Sequence, residues 1–194
     1  MLVNTMQEPT TLRDQLLISM PHLADQHFSR TVTYICDHSE YGAMGIVINR
    51  TAGIMVHDLL NHIDVDYSRL ALLPTPVYAG GPVHTDRGFV LHLNKPGQEW
   101  LSSYAVTPDI SLTTSVDILE ALAIGEGPDK FLVALGYAGW GPGQLEQELS
   151  ENSWLSCPAN SDILFQIPAE ERLQAAASVL GVNLQLMTAH AGHA

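Results

Sequence analysis

The 194-residue chain reads as a single α+β domain. Three observations predict this class. Strand-like and helix-like segments interleave irregularly, one pair of neighbouring apolar segments carries a hairpin signature, and no βαβ rhythm is sustained. Apolar residues make up 46% of the chain and charged residues 15%. A chain this long and this apolar buries most of its unfolded surface without a disulfide or metal staple. No repeat, low-complexity tract or linker divides it, so one domain is expected over 1–194, with loose tails at about 1–10 and 188–194.

The elements follow in order. Leu16–Met20 (LLISM), closed by Pro21, suits a buried strand, and His22–Arg30 suits one short helical turn. In Thr31–Asp37 (TVTYICD), Val32, Tyr34 and Cys36 fall on one face and Thr31, Thr33 and Ile35 on the other. That is β-branched and aromatic material at the period of a strand. His38–Gly42 reads as a turn and Ala43–Asn49 as the returning strand. A short helix is expected at about His57–Ile63, with Leu59, Leu60 and Ile63 on one side. Pro76–Tyr78 leads into a break at Gly80-Gly81-Pro82, after which Gly88–Leu93, Tyr104–Val106 and Ile110–Thr113 are extended.

Ser115 is placed to cap a helix over Val116–Ile124, with Asp117 in its first turn, Gly125 at its stop, and Ile118, Leu119 and Leu122 as its buried stripe. Phe131–Leu135 is a fully apolar strand, Gly136–Gly143 a glycine-rich loop and Gln144–Leu149 a short helix. Trp154–Cys157 and Ile163–Phe165 look extended. Pro168, the acidic first turn at Glu170 and Glu171, and Gly181 frame the last helix.

Charge narrows the function classes. Lys+Arg is 8 against Asp+Glu 21, a formal net charge of -13. Nucleic-acid binding needs a basic footprint that displaces counterions from phosphates, and an anionic membrane face repels an acidic surface. Neither partner suits this chain. The N-terminal residues lack a basic region followed by an apolar one, and no apolar run approaches the roughly 18 residues of a membrane span, so a cytoplasmic protein is expected. Cys36 and Cys157 have no CxxC or zinc-ligand spacing, which predicts two free thiols and no metal centre. No nucleotide or dinucleotide fingerprint calls for a cofactor.

No nucleophile elbow, phosphate loop or zinc-protease motif is present, so whether the chain is an enzyme stays open. Three residue groups are candidates. Arg30, Arg50 and Arg87 sit where strands begin or end. Converging on one rim with Asn49 and the Gly80 and Gly81 amides, they would bind a carboxylate or phosphate. Alternatively each arginine pairs with a nearby acid and ties a loop down. Tyr137 and Trp140, with Gln144 just beyond, form an aromatic loop that lines a ligand pocket, meets a protein partner or plugs the core. Cys36 and His38 share a strand face, where an imidazole would activate a thiol. The alternative is that Cys36 is simply a small buried apolar residue.

Seven strings occur in order: LLISMPH at Leu16–His22, RTVTYICDHSEYGAMGIVINR at Arg30–Arg50, GGPV at Gly80–Val83, RGFVLH at Arg87–His92, LGYAGWGPGQLEQEL at Leu135–Leu149, NSWL at Asn152–Leu155, and ILF through ERL at Ile163–Leu173. Together they resemble the AlgH/YqgE family of bacterial proteins over nearly the whole chain. Thr51 departs from the pattern, standing where members commonly carry proline. The resemblance implies a cytosolic domain whose mixed sheet curls toward a pseudo-barrel with short flanking helices. It also implies a link to control of alginate production and a transcriptional-regulator label. It brings no catalytic residues. The sequence has no helix-turn-helix pattern and its charge opposes DNA contact, so regulation is expected to be indirect, through another protein or a small ligand. Two readings follow. One is an interaction module using exposed parts of the Gly136–Trp140 loop, and the other is an anionic-ligand protein or enzyme using Asn49, Arg50 and Arg87.

Overall fold

A computed structural model describes residues 11–68, 72–184 and 186–187. The chain runs β1 (Gln15–Ser19), β2 (Val32–Ser39), β3 (Gly42–Val47), β4 (Thr51–Met55), α1 (Val56–His62), β5 (Pro76–Ala79), β6 (Val83–Leu93), β7 (Ser103–Ala105), β8 (Ile110–Thr113), α2 (Asp117–Ile124), β9 (Phe131–Trp140), α3 (Gln144–Ser150), β10 (Trp154–Pro158), α4 (Ser161–Phe165) and α5 (Ala169–Val179). The strands join in the order β10-β1-β2-β3-β9-β6-β8-β7, with β5 also on β9 and β4 on β5. Every pairing is antiparallel except β5 with β9, so the sheet is mixed.

Strand alternation distributes the side chains between two faces, both of them covered over the central strands, while β4 and β7 stay exposed. Leu16, Ile18, Val32, Tyr34, Phe89, Leu91, Leu132 and Ala134 point into one large core shared by eight strands. A flat sheet cannot bring eight strands to one cluster, so the sheet curls into a half-barrel. Ile163 and Leu164 of α4 and Ala176 and Ala177 of α5 fill its interior. The alternate residues face outward into two smaller cores. Val77, Val90 and Val133 meet α1 and α2, while Leu17, Ile35, Ala138 and Trp140 meet Leu145 of α3 and Trp154. Burial on both faces explains the unbroken apolar run of Phe131–Leu135. Each fully buried Leu or Ile contributes about 1.5–3 kcal/mol of transfer free energy.

The fold class and most elements match the sequence reading, with five corrections. His22–Arg30 forms turns rather than a helical turn, because the Asp25 carboxylate accepts from the His27 and Phe28 amides. Thr51–Met55, unassigned in sequence, is a strand on β5. Gly136–Gly143 is not a loop, since β9 continues through it to Trp140 and pairs there with β3. Ser115 does not cap α2; Val116 takes that place, and Ser115 Oγ accepts from Ser102 N instead. Ile163–Phe165 is helical, started by Asn160, whose side chain accepts from Ile163 N at 2.9 Å. The expected tails, about 1–10 and 188–194, lie outside the described residues.

Candidate functional site

The kink in β9 shapes a broad concavity. Before Gly136, β9 pairs with β5, and after it with β3, while β6 pairs with β9 from Phe131 to Tyr137. Gly136 has φ 73°, and a Cβ there would lie 2.4 Å from the Gly81 carbonyl oxygen. Opposite the kink β6 is irregular between Val83 and Gly88, which brings Arg87 over the sheet. The result is a hollow of about 620 Å³ lined by Asp37, Tyr41, Met44, Arg87, Phe89, Tyr137 and Trp140 among others. It continues into a second hollow of about 420 Å³ through the shared Asp37, Met44 and Phe89, ending on Tyr104 and Leu112.

The groove has an apolar aromatic floor and two charged groups. The Arg87 guanidinium stands 5.7 Å from the Phe89 ring centroid, and Tyr137 packs edge-on against the same ring. No carboxylate among the described residues lies within ion-pair distance of Arg87. Asp37 accepts from the Tyr104 hydroxyl at 3.0 Å, and Arg13 lies over the Tyr104 ring at 5.0 Å. Burial and the Asp37 carboxylate push the Tyr104 phenol up, so it stays protonated and donates. Tyr41, 81% exposed, stands at the rim.

The three predicted arginines do not converge. Arg50 Nη1 donates to the Gln26 and His27 carbonyls and Nη2 to Ser29 O, so this guanidinium ties down the 25–30 turns. It does tie a loop, though through backbone carbonyls and not through acids. Asn49 is equally structural, accepting from Val32 N at 2.8 Å and donating to Arg30 O at 2.9 Å. Arg30 itself sits at φ 58° with an exposed side chain. Gly80 is a packing glycine: its amide donates to Leu135 O, and its added Cβ would meet Gly136 O at 2.4 Å. At Gly81 a Cβ would meet the Tyr137 backbone at 2.1 Å. Only Arg87 of that set faces the groove.

The aromatic pair divides. Tyr137 walls the groove, but Trp140 is 6% exposed and plugs the outer core, stacked with Phe28 and edge-on to Trp154. Its indole N–H donates to Glu148, and Gln144 ties Gly141 N to the same Glu148. Cys36 and His38 separate because β2 carries a bulge between Ile35 and Asp37, which breaks the i,i+2 rule. Cys36 enters the large core, where burial raises its thiol pKa, whereas His38 accepts from Leu12 N and bonds Glu146 at 2.7 Å beside the outer core. Cys157 is likewise buried and free. Neither thiol faces solvent or a base.

Sequence reading missed two polar groups in the interior. Arg172 of α5 is 5% exposed, donating to the Ile48 and Ile167 carbonyls above the Tyr78 ring, and thereby anchors α5 inside the half-barrel. The other centres on His92, 2% exposed, beside a polar hollow of about 410 Å³. His92 Nε2 lies 2.8 Å from Thr113 Oγ1, which lies 2.9 Å from Ser103 Oγ. Gln98 Oε1, in the wall of that hollow, is buried with no hydrogen-bond partner among the described residues, a cost of about 1–3 kcal/mol. A histidine inside the otherwise apolar GFVLHL was the available signal.

Comparison with known proteins covers nearly the whole chain. A family model described as AlgH-like matches residues 16–185. A UPF0301 protein of Paraburkholderia phytofirmans is 53% identical over 183 residues, covering 94% of this chain and 95% of its own. One from Pseudomonas aeruginosa is 52% identical over 191 residues, covering 96% and 97%. Among solved structures, the solution structure of the Pseudomonas aeruginosa AlgH protein superposes with TM-score 0.75 at 51% identity, covering 96% of this chain and 97% of that one. A Corynebacterium diphtheriae protein shares the fold at TM-score 0.74 and 20% identity, each chain covered to 95%. The chain belongs to the AlgH-like family.

Proposed function

We propose that this protein is a cytoplasmic regulatory module that affects gene expression indirectly, by holding a segment of another protein in the Arg87 groove. The observation that carries this reading is an arginine with no ion-pair partner among the described residues, set above an aromatic floor and flanked by exposed tyrosines. Tyr and Arg are the residue types over-represented at the energetic centres of protein interfaces. The net charge of -13 favours a protein partner over nucleic acid. This moves the contact surface away from Trp140, whose indole is committed to the core, and onto Tyr41, Arg87, Tyr104 and Tyr137.

A photo-crosslinking residue at position 41, compared with one at Ile124 on α2, tests the reading in cells. A discrete adduct from position 41 that disappears in Arg87→Glu supports it. Equal adducts from both positions, or none from 41, would sink it. The same unpaired guanidinium favours a second reading, a small carboxylate or phosphate ligand. A thermal-shift screen with nucleotides, phosphorylated metabolites and small acids addresses it, since binding at a hundredfold excess over Kd adds about 2.7 kcal/mol. A shift lost in Arg87→Ala would favour this ligand, and no shift would leave the protein partner standing.

A further inference from the structure

The sheet ends on three strands, β10, β4 and β7. Proteins blunt such ends with proline, bulges or charge, because unpaired backbone groups recruit further strands. Pro158 closes β10, and β4 is irregular between Thr51 and Met55, with Gly53 at φ 78°. β7, though short, carries none of these. Ser103, Tyr104 and Ala105 pair with β8 in one unbroken register, and all three are exposed. Thr114 N donates to Ser102 O and Val106 N to Ile110 O, so Ser102, Tyr104 and Val106 are the positions that bond across to β8. In an antiparallel ladder the residues between them turn their amides and carbonyls the other way. Ser103 N, Ser103 O and Ala105 N therefore point off the sheet, with no partner among the described residues. Ala105 O has one there: the Arg13 guanidinium donates to it and to Val106 O, which fixes one end of the edge.

Beside this edge lies the hollow of about 420 Å³, walled by Met44, Phe89, Tyr104 and Leu112. Tyr104 and Leu112 stand opposite each other and share the face that lines it. A strand added to β7 sends every second side chain to that same face. Ser102 and Thr114 are the small residues of the wall, so a side chain arriving opposite Ser102 has room. Resting on the groove reading above, we infer that the partner's segment docks as an extra antiparallel strand on β7, with an apolar side chain opposite Ser102 and an acidic one two positions later. The apolar side chain fills the hollow. The acidic one supplies the carboxylate that Arg87 lacks among the described residues. Backbone bonds to the edge give affinity in this mode, and the alternate side chains give specificity.

Amide hydrogen exchange by NMR, with the acetylated and amidated peptide Thr-Val-Thr-Leu-Thr-Glu-Thr at millimolar concentration, tests this inference. In the proposed register its Val meets Tyr104, its Leu meets Ser102, and the threonine between them exchanges both backbone bonds with Ser103. Exchange at Ser103 and Ala105 should slow about tenfold. N-methylation of that threonine, replacement of the peptide's Glu by Gln, and Ala105→Pro should each raise Kd about tenfold. N-methylation of the peptide's Leu, whose amide faces away from β7, should leave Kd unchanged. Proline at position 105 removes no ladder bond, since that amide points off the sheet; a melting curve checks the variant. Unslowed exchange at both amides, or equal affinity of the two N-methylated peptides, overturns the inference. So does slow exchange in the free protein, the occupant being a second copy where the slowing grows with protein concentration and residues 1–10 where it does not. The groove reading is decided separately. Movement of the Arg87 and Tyr137 signals with both amides still exchanging fast leaves it standing and removes only the added strand.

Discussion

Glu148 Oε2 accepts from two indoles, Trp140 Nε1 at 2.9 Å and Trp154 Nε1 at 2.8 Å, so one carboxylate anchors the outer core to α3. Glu148→Leu leaves both donors unsatisfied and should cost about 2–4 kcal/mol in urea unfolding; Glu148→Gln keeps an acceptor and should cost about 1 kcal/mol. Equal losses from the two variants would contradict this role. His92 links stability to pH. Burial depresses its pKa below 6.5, so the unfolded chain takes up a proton before the folded one does. Its contribution is therefore present above pH 6.5 and is lost as pH falls through the lower folded value. Glu146, lowered by its own backbone amide and then by His38, acts only below its ordinary 4.5. Melting temperature between pH 7.5 and 5.5 should fall in the wild type and fall less in His92→Gln; parallel curves would assign the proton elsewhere. Arg50 and Asn49 were legible as polar residues at a strand end, but their roles were not. Those roles depend on where the 25–30 turns fold back.

Elements were most legible where one period held from end to end. The β2–β3 hairpin, β8 and α2 lie within a residue or two of their expected places, because alternation, apolar stripe and a φ 81° Gly125 stop agree there. Elements were misread where a glycine continues a strand instead of ending it. Gly136 lets β9 bend and change partners, so the string that resembles a loop is the strand joining both halves of the sheet. Gly136→Ala combines positive-φ strain with a clash on the Gly81 carbonyl and should cost about 3 kcal/mol or more. Thermal unfolding measures it, and near-wild-type stability would show that the bend tolerates a side chain. The β2 bulge is the same lesson in reverse. One extra residue sent His38 to the face opposite Cys36.

At the level of the whole molecule, the order of elements was sufficient for the α+β class, while the mixed sheet and the family came from the resemblance that the ordered strings carry. These depend on local periodicity and on long strings that survive in one dimension. The sequence also marked Arg87 and Tyr137 as unusual, and both line the groove. Tertiary structure decided which of the marked residues act together. It put Arg50 on backbone carbonyls, Trp140 in a core, and Arg87 on Phe89 beside Asp37 from a distant hairpin. It also assembled the His92 hollow from β6, β8 and the 94–103 segment, with a Gln98 acceptor whose lack of a partner no linear pattern encodes. The physical reason is common to all of these. A side chain's identity and strand face follow from its neighbours in sequence, but its partners are chosen by the curl of the sheet, which the β9 kink and the contents of the core determine together.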